Sequence, residues 1–387
     1  MARHLVAGLD IGTAAIRLVV SEVVPESSVP RVLCQVRKES RGLRRGRIVN
    51  FDETLENIRE AIKETERQTK TKLKSVLLSI GGVTLDAKVA SGQVAVSKAD
   101  LEINDTDTAR AIDASRANLG DFANKKIIYE APIGFKLDGE TIPGRPEGMR
   151  GAKLEVKTLF VYCLSQHLND LIRVANMAGL TIEDIVPAPL AGSYATLSPA
   201  QKMAGCALVN IGSQTTSIIT FEENTPRSLQ VFPFGSNDIT NDIALGLRVS
   251  LEEAEQLKLG SNQPVGVKKK LDEIIEARLT DIFESVEAHL KKIGRNGLLP
   301  AGIIIVGGGG NLENIERLAK SSLRLPARLF DVTQASHLKN QIRDASWVVA
   351  YGLCLFGFGL VPDEPLGQKI VQTTKSSLLR WIREFLP

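Results

Sequence analysis

Residues Val6-Ala7-Gly8-Leu9-Asp10-Ile11-Gly12-Thr13 run apolar into a polar turn, and Ile16 to Val20 continues as a second apolar run. Two hundred positions later the chain repeats itself: Ala207-Leu208-Val209-Asn210-Ile211-Gly212-Ser213 is followed by Ser217 to Phe221. Asp10 matches Asn210, Gly12 matches Gly212 and Thr13 matches Ser213. Each copy reads as a strand, a tight glycine turn and a returning strand. Glycine lets the backbone approach a phosphate closely, successive N–H groups point at its oxygens, and Ser or Thr adds a hydroxyl. One such segment alone is an ordinary hairpin with a structural glycine. The matched pair predicts two related domains that face each other and clamp a triphosphate. Gly12, Thr13 and Ala14 lie on one side of it, and Gly212, Ser213, Gln214 and Thr215 on the other. An acid at the strand end, Asp10, suits Mg²⁺ held through water, because that ion keeps most of its hydration shell.

A third segment supports this reading. Ala301-Gly302-Ile303-Ile304-Ile305-Val306 has the pattern of a buried strand and is followed by Gly307-Gly308-Gly309-Gly310-Asn311. Leu312, Ile315, Leu318 and Ala319 then form a helical stripe. A glycine-rich turn between strand and helix suits close approach of a nucleotide's sugar and base. Neither a GxGxxG fingerprint nor the Lys-Ser/Thr of a P-loop is present, which argues against those nucleotide folds.

The bulk numbers fit a cytoplasmic globular protein. A chain of 387 residues suits two or three domains, and 43% hydrophobic residues supply an ample core. Lys plus Arg total 48 against 45 Asp plus Glu, a balance that predicts no nucleic-acid binding. Cys34, Cys163, Cys206 and Cys354 are isolated and read as reduced, buried thiols. The histidines are equally scattered, so no zinc site or catalytic triad is visible. No signal peptide is expected, since the start quickly meets Asp10. The uncharged run Trp347 to Val361 is shorter than a membrane span and holds glycines, so it reads as a buried helix.

Strand–turn–strand twice, then a strand and a glycine run, resembles the phosphate-one, phosphate-two and adenosine motifs of the actin, heat-shock-chaperone and sugar-kinase superfamily. That resemblance implies an α/β, actin-like (ribonuclease H-like) two-domain fold. Ile185 to Ser193 and Ala345 to Gly359 resemble its two interdomain connections. Within the superfamily the chain resembles the FtsA family of cell-division proteins. The segment from about Val83 to Lys157 falls where that family inserts a small α+β subdomain. Val89 to Val96 and Ile127 to Glu130 read as its strands, Asp105 to Leu119 as a helix, and Gly134 to Gly151 as turn-rich. Phe232 to Ile243 resembles the family's run after phosphate-two. The implied organisation is a first domain of residues 1–82, 158–196 and 345–361, an insertion at 83–157, and a second domain at 197–344. The second domain's upper subdomain spans about 235–300, and residues 362–377 form a linker.

The end of the chain is the third point of resemblance. Leu378, Leu379, Trp381, Ile382, Phe385 and Leu386 fall within roughly 160° of a helical wheel, with Arg380, Arg383 and Glu384 opposite. A C-terminal amphipathic helix at 378–387 with Trp and Leu on one face and arginines on the other suits a lipid interface. A turn of helix docked on its own domain is the alternative. One short helix binds weakly, so stable attachment needs several copies held in a polymer.

The FtsA resemblance further implies bound ATP and Mg²⁺, self-association into filaments, and a place at the division site on the cytoplasmic face of the membrane. It places Glu255 and Lys258 near adenine and ribose; by spacing alone they read as an exposed helical ion pair. It makes Lys268, Lys269, Lys270 and Arg278 candidates for the FtsZ C-terminal tail, where composition shows only a solvated basic face. Other division proteins are expected on the inserted subdomain. One departure matters: relatives carry Asp-Ile-Gly-Gly-Gly-Thr at phosphate-two, whereas this chain has Asn210-Ile211-Gly212-Ser213-Gln214-Thr215. Asn cannot supply the charge that helps hold Mg²⁺ and its waters, so slow or negligible turnover is expected. A sugar kinase of the same fold needs a base near phosphate-two and has no use for the tail. A pilus-assembly scaffold resembling PilM shares the fold and insertion and is the closer alternative. A chaperone reading fails because no substrate-binding domain follows.

Overall fold

The computed structural model describes residues 5–22, 24, 29–260, 266–309, 312, 314–335, 338 and 341–359. The first apolar runs form an antiparallel meander of β1 (Leu5–Ile11), β2 (Ala15–Glu22) and β3 (Arg31–Glu39). A small hairpin follows, β4 (Leu43–Arg44) with β5 (Arg47–Ile48). Helix α1 (Phe51–Thr69) starts at Asn50, whose side chain accepts the Glu53 N–H, and buries Leu55, Ile58, Ala61 and Ile62 at helical spacing. Lys70 ends it in the left-handed conformation. The chain then adds β6 (Ser75–Ile80), parallel to β1.

The insertion follows. It comprises β7 (Asp86–Ala95), α2 (Asp105–Ala117), β8 (Lys125–Leu137), β9 (Glu140–Ile142) and β10 (Lys153–Leu164), with sheet order β7-β10-β8-β9. Asn104 and Asp107 cap α2 reciprocally, and Ile103, Ala111, Ile112, Leu137, Leu154 and Val156 make a separate small core. The stretch expected to be turn-rich begins later than read: β8 continues through Gly134 to Leu137. Its partner β10 imposes that extension, pairing Lys157 with Gly134 and Leu154 with Leu137.

β10 leads into α3 (Ser165–Met177), β11 (Thr181–Pro187) and α4 (Ala188–Thr196). The second half holds α5 (Pro199–Ala204), β12 (Cys206–Ile211), β13 (Thr216–Glu222) and β14 (Thr225–Phe232). Next come α6 (Ser236–Leu247), α7 (Leu251–Lys258), α8 (Lys268–Lys292), β15 (Ile303–Val306), α9 (Ile315–Leu323) and β16 (Ala327–Leu329). The sheets run β11-β6-β1-β2-β3 and β16-β15-β12-β13-β14. In each, the strand before the glycine turn is antiparallel to the next strand and parallel to a later one. The repeated motif is therefore a repeat of topology.

Two helices join the halves, α4 and α10 (Val348–Gly357), and α10 is buried over nearly its whole length. Backbone meets backbone here. A Cβ on Gly352 would lie 1.9 Å from the Ala191 carbonyl oxygen, and one on Gly8 would lie 2.2 Å from that of Ala350. The return to the first domain precedes Ala345. Gln341 accepts the Val32 N–H at 2.9 Å through its side chain and the Gln35 amide at 2.7 Å through its carbonyl. Leu338 and Ile342 pack in the large core shared by the first sheet, α10 and part of the second sheet. All four cysteines are buried free thiols, and burial pushes Cys163, Cys206 and Cys354 up to about 12. No described helix is long and apolar enough to cross a membrane.

Substituting Gly352→Ala forces α10 off α4, and we expect a loss of about 1–3 kcal/mol, read as a lower thermal midpoint; an unchanged midpoint would refute the close contact. Two buried histidines set a pH response. His167 faces the Thr84 hydroxyl at 2.6 Å, and His289 lies between Ser228 and Gln230 at 2.9 and 2.8 Å. Burial holds both pKa values down to about 4 from 6.5. The unfolded chain then takes up protons that the folded chain refuses. Stability is therefore full above pH 6.5 and falls as pH drops toward 4, by about 1.4 kcal/mol per pH unit per histidine. Unfolding midpoints between pH 7 and 5 should show this slope, flattened in the His167→Gln/His289→Gln variant.

Candidate nucleotide cleft

Both glycine turns close in the same way. The Gly12 N–H donates to the Ala15 carbonyl at 3.2 Å, and the Gly212 N–H donates to that of Thr215 at 2.9 Å. The strand ends agree as well: Asp10 stands opposite Arg17, and Asn210 opposite Ser217. Asp10 Oδ1 accepts the Ser79 hydroxyl at 2.6 Å, from the C-terminal end of β6. Burial raises the Asp10 pKa, against the opposing pull of Ser79 and Arg17. Arg17 Nη1 comes within 3.9 Å of the place a Cβ on Gly12 would take, and its Nε is buried without a hydrogen-bond partner. A guanidinium with an unused donor beneath a glycine turn suits an anion there.

The second turn is fastened to α6. Ser236 and Asn237 donate their N–H groups to the Gly212 and Ser213 carbonyls, both at 2.8 Å. The glycine run after β15 packs onto the same strand end. The Gly309 N–H donates to the Ile211 carbonyl at 3.0 Å, and a Cβ on Gly307 would lie 2.4 Å from Asn210 Oδ1. Gly308 meets nothing within 4 Å and faces open space. Glu255 and Lys258 are brought to this place. Their ion pair measures 2.6 Å, and the Lys258 side chain is only 5% exposed, so it is not the solvated pair that spacing alone suggests. Lys258 also donates to Thr240 Oγ1 at 2.8 Å and to the Ser236 carbonyl at 3.3 Å. Ser236 in turn lies against Gly309.

Three of the anticipated groups thus converge: the Asp10–Ala14 turn, the Asn210–Thr215 turn, and Gly307 to Gly309 with Glu255 and Lys258. Gly310, Asn311 and the tail residues Leu378, Leu379, Arg380, Trp381, Ile382, Arg383, Phe385 and Leu386 lie outside the described residues. Gly307 and Gly309 pack tightly onto Asn210, Ile211 and Ser236, and of the three glycines only Gly308 faces open space. For Mg²⁺ the first turn offers the Asp10 carboxylate, with one oxygen already taken by Ser79. Sequence reasoning missed Ser79, Arg17 and Thr240; their one signal was position on strands or helices ending at the turns.

Comparison with known proteins places this cleft in a family. The profile described as "Cell division protein FtsA" matches residues 207–352, and that of "SHS2 domain inserted in FTSA" matches residues 82–162. The chain is 31% identical to the Cell division protein FtsA of Bacillus subtilis, over 91% of this chain and 83% of that one. The chain belongs to the FtsA family. Among solved structures it resembles the PilM-PilN type IV pilus biogenesis complex with TM-score 0.67 and 19% identity, covering 91% of this chain and 98% of that one. It also resembles MreB5 of Spiroplasma citri bound to ADP, with TM-score 0.52 and 13% identity, covering 92% and 97%. These likenesses show the actin-like fold, and the inserted module is the FtsA type.

The basic face on α8 divides in two. Lys268, Lys269 and Lys270 are exposed. Arg278 is instead engaged within the chain, with Nε at 2.5 Å and Nη2 at 2.9 Å from the two Asp242 oxygens, pinning α8 to α6. Arg278→Ala is expected to lower stability by about 1–2 kcal/mol. The triple Lys268→Ala/Lys269→Ala/Lys270→Ala variant should stay within about 0.5 kcal/mol of the parent. Equal effects in denaturant unfolding would contradict this division.

Proposed function

We propose that this FtsA-family chain binds ATP in the cleft, polymerises on the inner face of the cytoplasmic membrane, and tethers FtsZ filaments and other division proteins there. The observation that carries the reading is the pair of glycine turns, one from each domain, closed by the same hydrogen bond and set on strands of the same topology. MreB5, a structural neighbour, is a nucleotide-bound protein of the same fold. Backbone N–H groups at Thr13–Ala14 and Ser213–Thr215 with the Arg17 guanidinium orient the phosphates. Glu255 and Lys258 border the sugar and base side. Mg²⁺, when bound, would spread phosphate charge, with Asp10 holding it through water.

Asn210 decides what the cleft does with the nucleotide. A second acid would help order the metal's waters and the attacking water, and an amide does not. The chain therefore retains ATP and turns it over slowly, so that nucleotide acts as a structural ligand of the polymer. Attachment comes from the tail segment 378–387, lying in the headgroup interface with its arginines on anionic lipid. The exposed Lys268–Lys270 run offers charge for the acidic FtsZ tail.

The test combines binding with sedimentation. Equilibrium dialysis should show one ATP per chain, and steady-state turnover should rise in Asn210→Asp. With ATP and Mg²⁺, the full chain should pellet with anionic liposomes while a chain ending at Lys375 stays in the supernatant. Absence of ATP binding, or equal sedimentation of the two chains, would overturn the corresponding part of the proposal.

A further inference from the structure

The β4–β5 hairpin touches both glycine turns at once. Its tip is Arg45–Gly46, with φ of 50° and 80°, as a two-residue turn of the favoured mirror type requires. The Arg45 N–H donates to Gln214 Oε1 at 2.8 Å, and the Gly46 N–H donates to Thr13 Oγ1 at 2.9 Å. One tip therefore bridges the phosphate-one turn of the first domain and the phosphate-two turn of the second. Both contacts use an oxygen as acceptor. They leave the Thr13 hydroxyl proton and the Gln214 amide protons free to donate elsewhere. The tip is braced from behind, where the Val83 N–H donates to the Arg45 carbonyl at 3.2 Å and Gly46 lies against Gly82.

The charge on this tip is unbalanced. Arg44, Arg45 and Arg47 are all exposed, and among the described residues no ion pair engages any of them, whereas nearby Arg41 pairs with Glu39. Arg44 and Arg47 stand directly opposite each other across the hairpin. Like charges in that register repel, and a shared anion would reverse the sign. Arg45 holds a left-handed conformation that glycine adopts more easily, so the turn itself has no need of its side chain. Asn210, being neutral, puts no carboxylate at the second turn to compete for these cations.

Resting on the reading of the cleft as a nucleotide site, we propose that the arginine tip is a third phosphate-binding element, with Arg44, Arg45 and Arg47 contacting the outer phosphates of a nucleoside triphosphate. The tip backbone aims Thr13 and Gln214 at the same phosphates. Charge-assisted hydrogen bonds to phosphate are strong and directional for guanidinium, which makes the arginines more than a diffuse field.

The experiment measures ATP and adenosine affinity by calorimetry for the full chain, for Arg44→Gln/Arg47→Gln, and for Arg45→Gly, which suits the turn. We expect each variant to bind ATP about tenfold or more weakly while adenosine affinity stays within twofold. Without nucleotide, Arg44→Gln/Arg47→Gln should unfold at or above the parent midpoint, since its like-charge contact is relieved. ATP affinity within twofold of the parent in both variants overturns the proposal, as does equal loss for ATP and adenosine. If the parent chain binds neither ligand, the nucleotide reading falls and this inference with it. If the parent binds ATP and the variants match it, this inference alone falls.

Discussion

The connecting helices are fixed to each other and to the first sheet by backbone-to-backbone contact. Gly352 of α10 lies on the Ala191 carbonyl of α4, and Gly8 of β1 lies on the Ala350 carbonyl of α10. No side chain stands between these elements, so little slack separates the first sheet from the connecting helices. α10 then buries Val348, Val349, Tyr351, Leu353, Leu355 and Phe356 in a core that also takes Leu208, Ile219 and Ile304 of the second sheet. Each large apolar side chain of this kind contributes about 1.5–3 kcal/mol by leaving water. This shared core ties the connecting helices to both sheets.

Within that frame the cleft is asymmetric in charge. The first turn has an acid and a buried guanidinium side by side, Asp10 and Arg17. The second has an amide whose oxygen is pressed on Gly307. The Gln214 side chain adds a clasp between domains that a bare glycine turn could not make.

The insertion is tied into the molecule at several points. β10 continues directly into α3, and Arg227 of the second sheet's edge strand donates to the Ile133 carbonyl of β8. The hairpin tip also braces against Gly82, at the insertion's root. Cleft, connecting helices and insertion thus share contacts.

The sequence by itself determined the elements whose signals are local. The paired strand–turn–strand segments, the glycine run after Ile303–Val306, the α2 helix and the buried α10 were all legible. In these, hydrophobic period and glycine placement act over a few neighbouring residues. Its FtsA character was legible in the inserted segment from about Val83 to Lys157. What depends on residues far apart in the chain was decided by tertiary structure. β8 runs past Gly134 because β10 pairs with it, and Gln341 joins the first sheet because its side chain meets β3. Lys258 is buried rather than solvated because Thr240 and Ser236 receive it, and Arg278 is taken by Asp242 on a neighbouring helix. The bridge from Arg45 to Gln214 spans 169 positions. No local pattern encodes such a contact, because loop closure brings its partners together only after both domains have packed.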